Sequence, residues 1–161
     1  MLAGMEPALV QSLQDRRPQI RGRWLELLRA APATSPLANP DLLDHLLDPT
    51  MEEVLGALRE PPARAAVARA RVFDTIRSAC ECGRNPLLEF FVAGEQALIE
   101  ALVVAQAGGP APDFATRNIA VAELYLAVRA IAQTQVDAFC SLCQHRPPGP
   151  PASPPGPATS R

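Results

Sequence analysis

Proline placement limits what this chain can form, because each proline removes a backbone donor and resists the interior of a helix or a central strand. Seven of the 18 prolines crowd into the last sixteen residues, Arg146 to Arg161 (RPPGPPASPPGPATSR). That stretch has no apolar periodicity and too little apolar surface to offset its ordering entropy. Residues 146–161 are therefore expected to be a disordered tail of polyproline II character. Most of the others act as punctuation. Asn39-Pro40, Asp48-Pro49 and Asn85-Pro86 each set a capping side chain before a proline at the first helical position, where a missing N–H costs nothing. Pro61-Pro62 stops one helix and can open the next.

Between these marks the apolar spacing is helical, and no segment alternates as a strand would. Leu9, Leu13, Ile20, Trp24, Leu27 and Leu28 keep one face, which predicts a long helix kinked at Pro18. Leu42, Leu43, Leu46 and Leu47 predict a short helix, and Met51, Val54, Leu55 and Leu58 a separate one after Pro49. Ala66, Ala70, Phe73, Ile76 and Cys80 line a further helix. The segment from Pro86 to Ala107 is apolar nearly all round and reads as the most buried helix, broken by Gly108-Gly109-Pro110. The last helix, about Asp113 to His145, turns Val121, Leu124, Val128, Ile131, Ala132, Phe139 and Cys143 inward. The fold class is all-α: an antiparallel bundle of about six helices, four long and two short, in a single domain over residues 1–145, followed by the tail.

Composition removes several function classes. All 15 basic residues are Arg, and the absence of Lys excludes Schiff-base and P-loop chemistry. No run of about eighteen uncharged apolar residues exists, so no membrane span is expected, and the first residues lack the pattern of a signal peptide. A cytoplasmic protein is the expectation. The net charge of −2 argues against a nucleic-acid partner. Arg16, Arg17, Arg21, Arg23 and Arg29 make the first helix basic, while Asp41, Asp44, Asp48, Glu52, Glu53 and Glu60 make the next two acidic; pairing between them is the economical arrangement.

Four cysteines are the strongest chemical feature: Cys80-Glu-Cys82, and Cys140-Ser-Leu-Cys143 followed by Gln144-His145. In a reducing compartment such pairs are metal-binding or catalytic more often than structural disulfides. If the last two helices form an antiparallel pair turning at Pro110, Cys82 stands 28 residues before the turn and Cys140 30 after it. At about 1.5 Å per residue the mismatch is about 3 Å, so both pairs fall at one end of the bundle. Four thiolates there can surround zinc at about 2.3 Å each, with His145 as a substitute ligand. Two other readings stand beside this one. Cys80 and Cys143 fall in apolar register and can be small buried hydrophobes. Alternatively, Cys140 and Cys143 are the working dithiol of a thiol-disulfide oxidoreductase or redox sensor. Against that, the pair ends a helix, where the dipole disfavours thiolate, and it lacks the surroundings of a thioredoxin.

Other candidates have quieter explanations. Glu95 points away from the polar stripe of its helix, and antiparallel pairing brings Tyr125 and Arg129 near it, which suits a satisfied structural pair better than an acid/base catalyst. Gly94 reads as a site of close helix packing, and His45 as a solvent-edge residue. No Gly-x-Ser-x-Gly, Gly-x-Gly-x-x-Gly, His-Glu-x-x-His or Glu-x-x-His pattern occurs, so no catalytic residues are assigned. The tail's Pro-x-x-Pro spacing suits a proline-reading partner or a solubilising end.

Arg16-Arg17-x-x-Ile20-x-x-x-Trp24-x-x-x-Leu28, followed by Asn39-Pro40, resembles the opening of the helical N-terminal sensory domain of RsbR-type stressosome co-antagonists and some sensor kinases. The resemblance covers residues about 9–58. It implies a cytoplasmic bacterial sensory or docking module without catalysis of its own, acting through a protein partner or self-association. Neither cysteine pair belongs to that pattern.

Overall fold

A computed structural model describes residues 5–32, 38–59, 84–108 and 112–143. The expected helix over Ala66 to Cys80 and the proline-rich tail lie outside the described residues. Every regular element among the described residues is α-helical: α1 (Pro7–Asp15), α2 (Arg17–Ala30), α3 (Pro40–Arg59), α4 (Pro86–Ala107) and α5 (Phe114–Leu142).

Local chemistry sets most of the boundaries. Asn39 Oδ1 accepts from the Asp41 N–H at 3.0 Å, Asn85 Oδ1 from Leu87 at 2.9 Å, and Asp113 Oδ1 from Thr116 at 2.9 Å. Each of these satisfies one orphan donor of a first helical turn. Pro40 and Pro86 occupy the opening position of their helices, as their missing N–H permits.

Two expected boundaries are different. The first segment is not one helix kinked at Pro18. The chain leaves helical geometry at Arg16 (φ −95°, ψ 7°), whose N–H bonds back to Leu13 and whose carbonyl accepts from Ile20, so α1 ends and α2 begins around one residue. Pro18 then sits in the first turn of α2, where its ring meets no preceding helical carbonyl. Conversely, Pro49 does not start a new helix. It lies inside α3, on the exposed side, while Leu43, Leu47, Met51, Val54, Leu55 and Leu58 form an unbroken buried stripe along the opposite side. Continuity of that stripe holds the helix together through a proline whose lost bond is left on the wet face. Asp48, expected as a cap, instead bonds to Arg21.

The helices enclose one core. Both α3 and α4 pack against α1, α2 and α5, so α2 and α5 each bridge the same two neighbours. Partner numbers fall along one helix as they rise along the other: Arg17 meets Glu52 and Arg29 meets Asp41 across α2 and α3. Arg129 meets Glu95, and Val136 meets Asn85, across α5 and α4. Both pairs of helices are therefore antiparallel. α4 carries the broadest buried surface, including Leu87, Phe90, Phe91, Ala97, Leu98 and Leu102. The residues expected inward on α5 divide: Leu124, Val128, Ile131 and Ala132 are buried, while Val121, Phe139 and Cys143 are only partly covered.

Trp24 is the largest fully buried side chain. Its indole N–H donates to the Phe90 carbonyl at 2.8 Å, and its ring lies 4.8 Å from that of Phe90. That one bond satisfies the only polar atom the indole brings into the core. Gly94, one turn further along α4, faces the same ring.

Candidate functional site

The end of the bundle where α4 begins and α5 finishes holds the described half of the cysteine pattern. Asn85 is buried, with 2% of its surface exposed, and uses all of its side chain. Its Oδ1 caps α4, while its Nδ2 donates to the Val136 carbonyl and to Cys140 Sγ, both at 3.3 Å. One amide thus fastens the head of α4 to the foot of α5, with a cysteine sulfur in the bond. Cys140 is half-buried against the core. Cys143 follows the last helical residue, its N–H bonded to the Cys140 carbonyl at 3.3 Å, and its half-buried thiol is free. The three-residue spacing keeps both sulfurs on one side of the last turn. Cys80, Cys82 and His145, the other expected ligands, lie outside the described residues. Among the described residues no group of three or more His, Cys, Asp or Glu side chains comes together. Asn85 as the binder of a cysteine was not legible beforehand; its position three residues after Cys82 was the available signal.

The basic and acidic helices meet as their charges require. Arg17 pairs with Glu52, Arg21 with Asp44 at 2.7 Å and Asp48 at 3.2 Å, and Arg29 with Asp41 at 3.7 Å. Arg23 turns the other way, to Glu26 on its own helix at 2.9 Å and to Glu100 of α4 at 2.8 Å. Hydrogen bonds from Arg23 and then Gln96 hold the Glu100 carboxyl below its ordinary range. Hydrogen bonds that the Arg21 guanidinium donates, first to Asp48 and then to Asp44, raise its own pKa. These are water-exposed pairs that set register more than they add stability. Arg16 alone of this series has no carboxylate partner among the described residues.

Glu95 and Arg129 form the expected pair. Arg129 Nε donates to Glu95 Oε2 at 2.8 Å and Nη2 to Oε1 at 3.4 Å, a forked contact, and the guanidinium lies 4.6 Å from the centre of the Tyr125 ring. With about a quarter or less of either side chain exposed, this pair is drier than those on α2. Fork geometry and the ring face occupy the guanidinium. His45 is exposed, as its place in the sequence suggested.

Glu123 escaped the sequence reading. It is 8% exposed, both carboxylate oxygens are buried without a hydrogen-bond partner, and burial pushes its pKa above the usual carboxylate value. The signal was present: Glu123 stands between Ala120 and Leu124, within the buried stripe of α5.

No helix among the described residues is long and apolar enough to cross a membrane. Comparison of the chain with family models, with curated proteins and with solved structures gave no match.

Proposed function

We propose that this chain is a non-enzymatic cytoplasmic helical module that senses a signal or docks a protein partner, braced by a zinc site of Cys80, Cys82, Cys140 and Cys143, with His145 as substitute ligand. In this reading the full domain is a six-helix antiparallel bundle over residues 1–145, and residues 146–161 are a flexible tail. The zinc ties the junction before α4 to the end of α5, so that metal binding and folding are one equilibrium.

The observation that carries the reading is the bond from Asn85 to Cys140 Sγ. Three peptide units separate Cys82 from Asn85, so a fully extended chain holds their Cα atoms within about 11 Å of each other. Cys82 is thereby tethered to the residue that touches Cys140, as a site shared by the two pairs requires. The resemblance of residues 9–58 to stressosome sensory domains supports the sensing or docking role, and the pairing of α2 arginines with internal carboxylates leaves little of that helix for a polyanion.

The test is bound metal and thiol reactivity on protein purified without reductant. About one zinc per chain, released together with stability on Cys82→Ser or Cys140→Ser, supports the site. Metal-free protein in which Cys140 and Cys143 oxidise readily to a disulfide assigns the pair to redox chemistry instead. Four inert thiols without metal overturn both.

A further inference from the structure

About 22 residues of α4, some 33 Å at the helical rise, separate the cysteine end from a second feature at the opposite pole. There α1, the α1–α2 junction, the end of α4 and the start of α5 enclose a partly open pocket of about 420 Å³. That volume lies within the range of about 300–1,000 Å³ typical of small-molecule sites. Leu9, Ala105 and Pro112 supply apolar wall, and Ser12 and Gln106 supply hydroxyl and amide groups. Among the described residues one cation faces it, Arg16.

Arg16 is anomalous in its own series. The other four arginines of residues 16–29 each meet at least one carboxylate, whereas Arg16 meets none among the described residues. Its Nη2 lies beside Gly108, at the C-terminal end of α4, where the helix dipole favours a cation without neutralising it. A smaller hollow of about 170 Å³ on another side of Arg16 is bordered by Arg23 and Glu100, whose charges already satisfy each other. The uncompensated charge therefore belongs to the larger pocket.

We infer that this pocket binds a small monocarboxylate with a short apolar body, its carboxylate held by the Arg16 guanidinium and its chain laid against Leu9, Ala105 and Pro112. A planar guanidinium matches a carboxylate through two parallel bonds, and partial exclusion of water strengthens them. Two features select against a phosphate or a dianion. Among the described residues no second cation lines the pocket, and Glu6, at the other end of α1, adds a negative charge that a dianion would meet. Neither described cysteine lines this pocket, so its occupancy is independent of any metal at the other pole.

The probe is hexanoate, with inorganic phosphate as the comparison, titrated into the full-length chain by calorimetry and by amide chemical shifts. Saturable binding of hexanoate with a dissociation constant on the order of 1 mM or tighter is expected, with shifts concentrated at Ser12, Arg16 and Gln106. Arg16→Gln should weaken it roughly tenfold or more, the loss of a charge-assisted bond. Since Arg16 supports no ion pair, its replacement should leave the far-ultraviolet circular dichroism and metal content unchanged. Ala8→Leu, on an exposed position that lines the pocket, is the second variant and should weaken binding by filling part of the pocket. Absence of saturable hexanoate binding, binding by either variant as tight as that of the parent, or phosphate binding at least as tight as hexanoate overturns the proposal.

Discussion

The ring of Trp24 occupies the space that a side chain at position 94 would need: a Cβ built on Gly94 falls on the indole atoms themselves. α2 and α4 approach closely here because α4 offers no side chain at the crossing and the indole N–H finds the Phe90 carbonyl. The ring is fully buried and cannot swing aside without leaving that bond. Gly94→Ala should therefore destabilise the fold by about 3 kcal/mol, despite alanine's better helix propensity. Because Trp24 is the single tryptophan, its fluorescence in a urea titration reads the site directly. A midpoint unchanged from the parent would show that the helices can separate freely.

Glu123 makes stability depend on pH with a definite sign. Burial raises its folded-state pKa, so the folded chain holds this proton more tightly than the unfolded chain does. Its contribution is fully present below the ordinary carboxylate pKa and is lost as pH rises through the folded value. Glu123→Met, similar in length and without the charge, should raise stability at neutral pH by about 1–2 kcal/mol and remove that dependence. Melting temperatures of the two proteins between about pH 4 and pH 7 provide the check, with the curves converging at the acid end.

Asn85 performs two jobs that substitution can separate. Asn85→Ala deletes both the cap on Leu87 and the bridge to Val136 and Cys140, at a cost of about 2 kcal/mol or more. Asn85→Asp keeps a capping oxygen but removes the amide donor, so its loss reads the bridge, together with the cost of burying a carboxylate, while the cap is retained. In both variants Cys140 should react faster with a thiol reagent as the two helix ends loosen. Equal reactivity in parent and variants would mean the amide does not shield the sulfur.

The two kinds of ion pair should behave differently. A double-mutant cycle on Glu95 and Arg129, forked and mostly buried, should give a coupling of about 1 kcal/mol that survives added salt. The same cycle on Arg29 and Asp41, both well exposed and 3.7 Å apart, should give a coupling near zero. Denaturation at low and high ionic strength distinguishes them.

What the sequence alone determined is local or periodic. Asn39 and Asn85 could be named as caps because a cap bonds two or three residues onward. The span Pro86–Ala107 could be placed because proline and glycine bracket it. The pairing of Glu95 with Arg129 and the closeness at Gly94 also came early, since an antiparallel hairpin ties one position to another by counting from its turn. Tertiary structure decided the rest. Asp48-Pro49 carries the same signature as Asn85-Pro86, yet one lies within a helix and the other begins one. The difference is the buried stripe from Leu43 to Leu58 and the arrival of Arg21 to take the Asp48 carboxylate. Arg16 looks like its four neighbours in sequence, and Glu123 shows its apolar register but not that both of its oxygens go unpaired. Only the assembled helices leave one charge without a counterpart beside a pocket and strip water from the other, because desolvation and pairing depend on which surfaces meet.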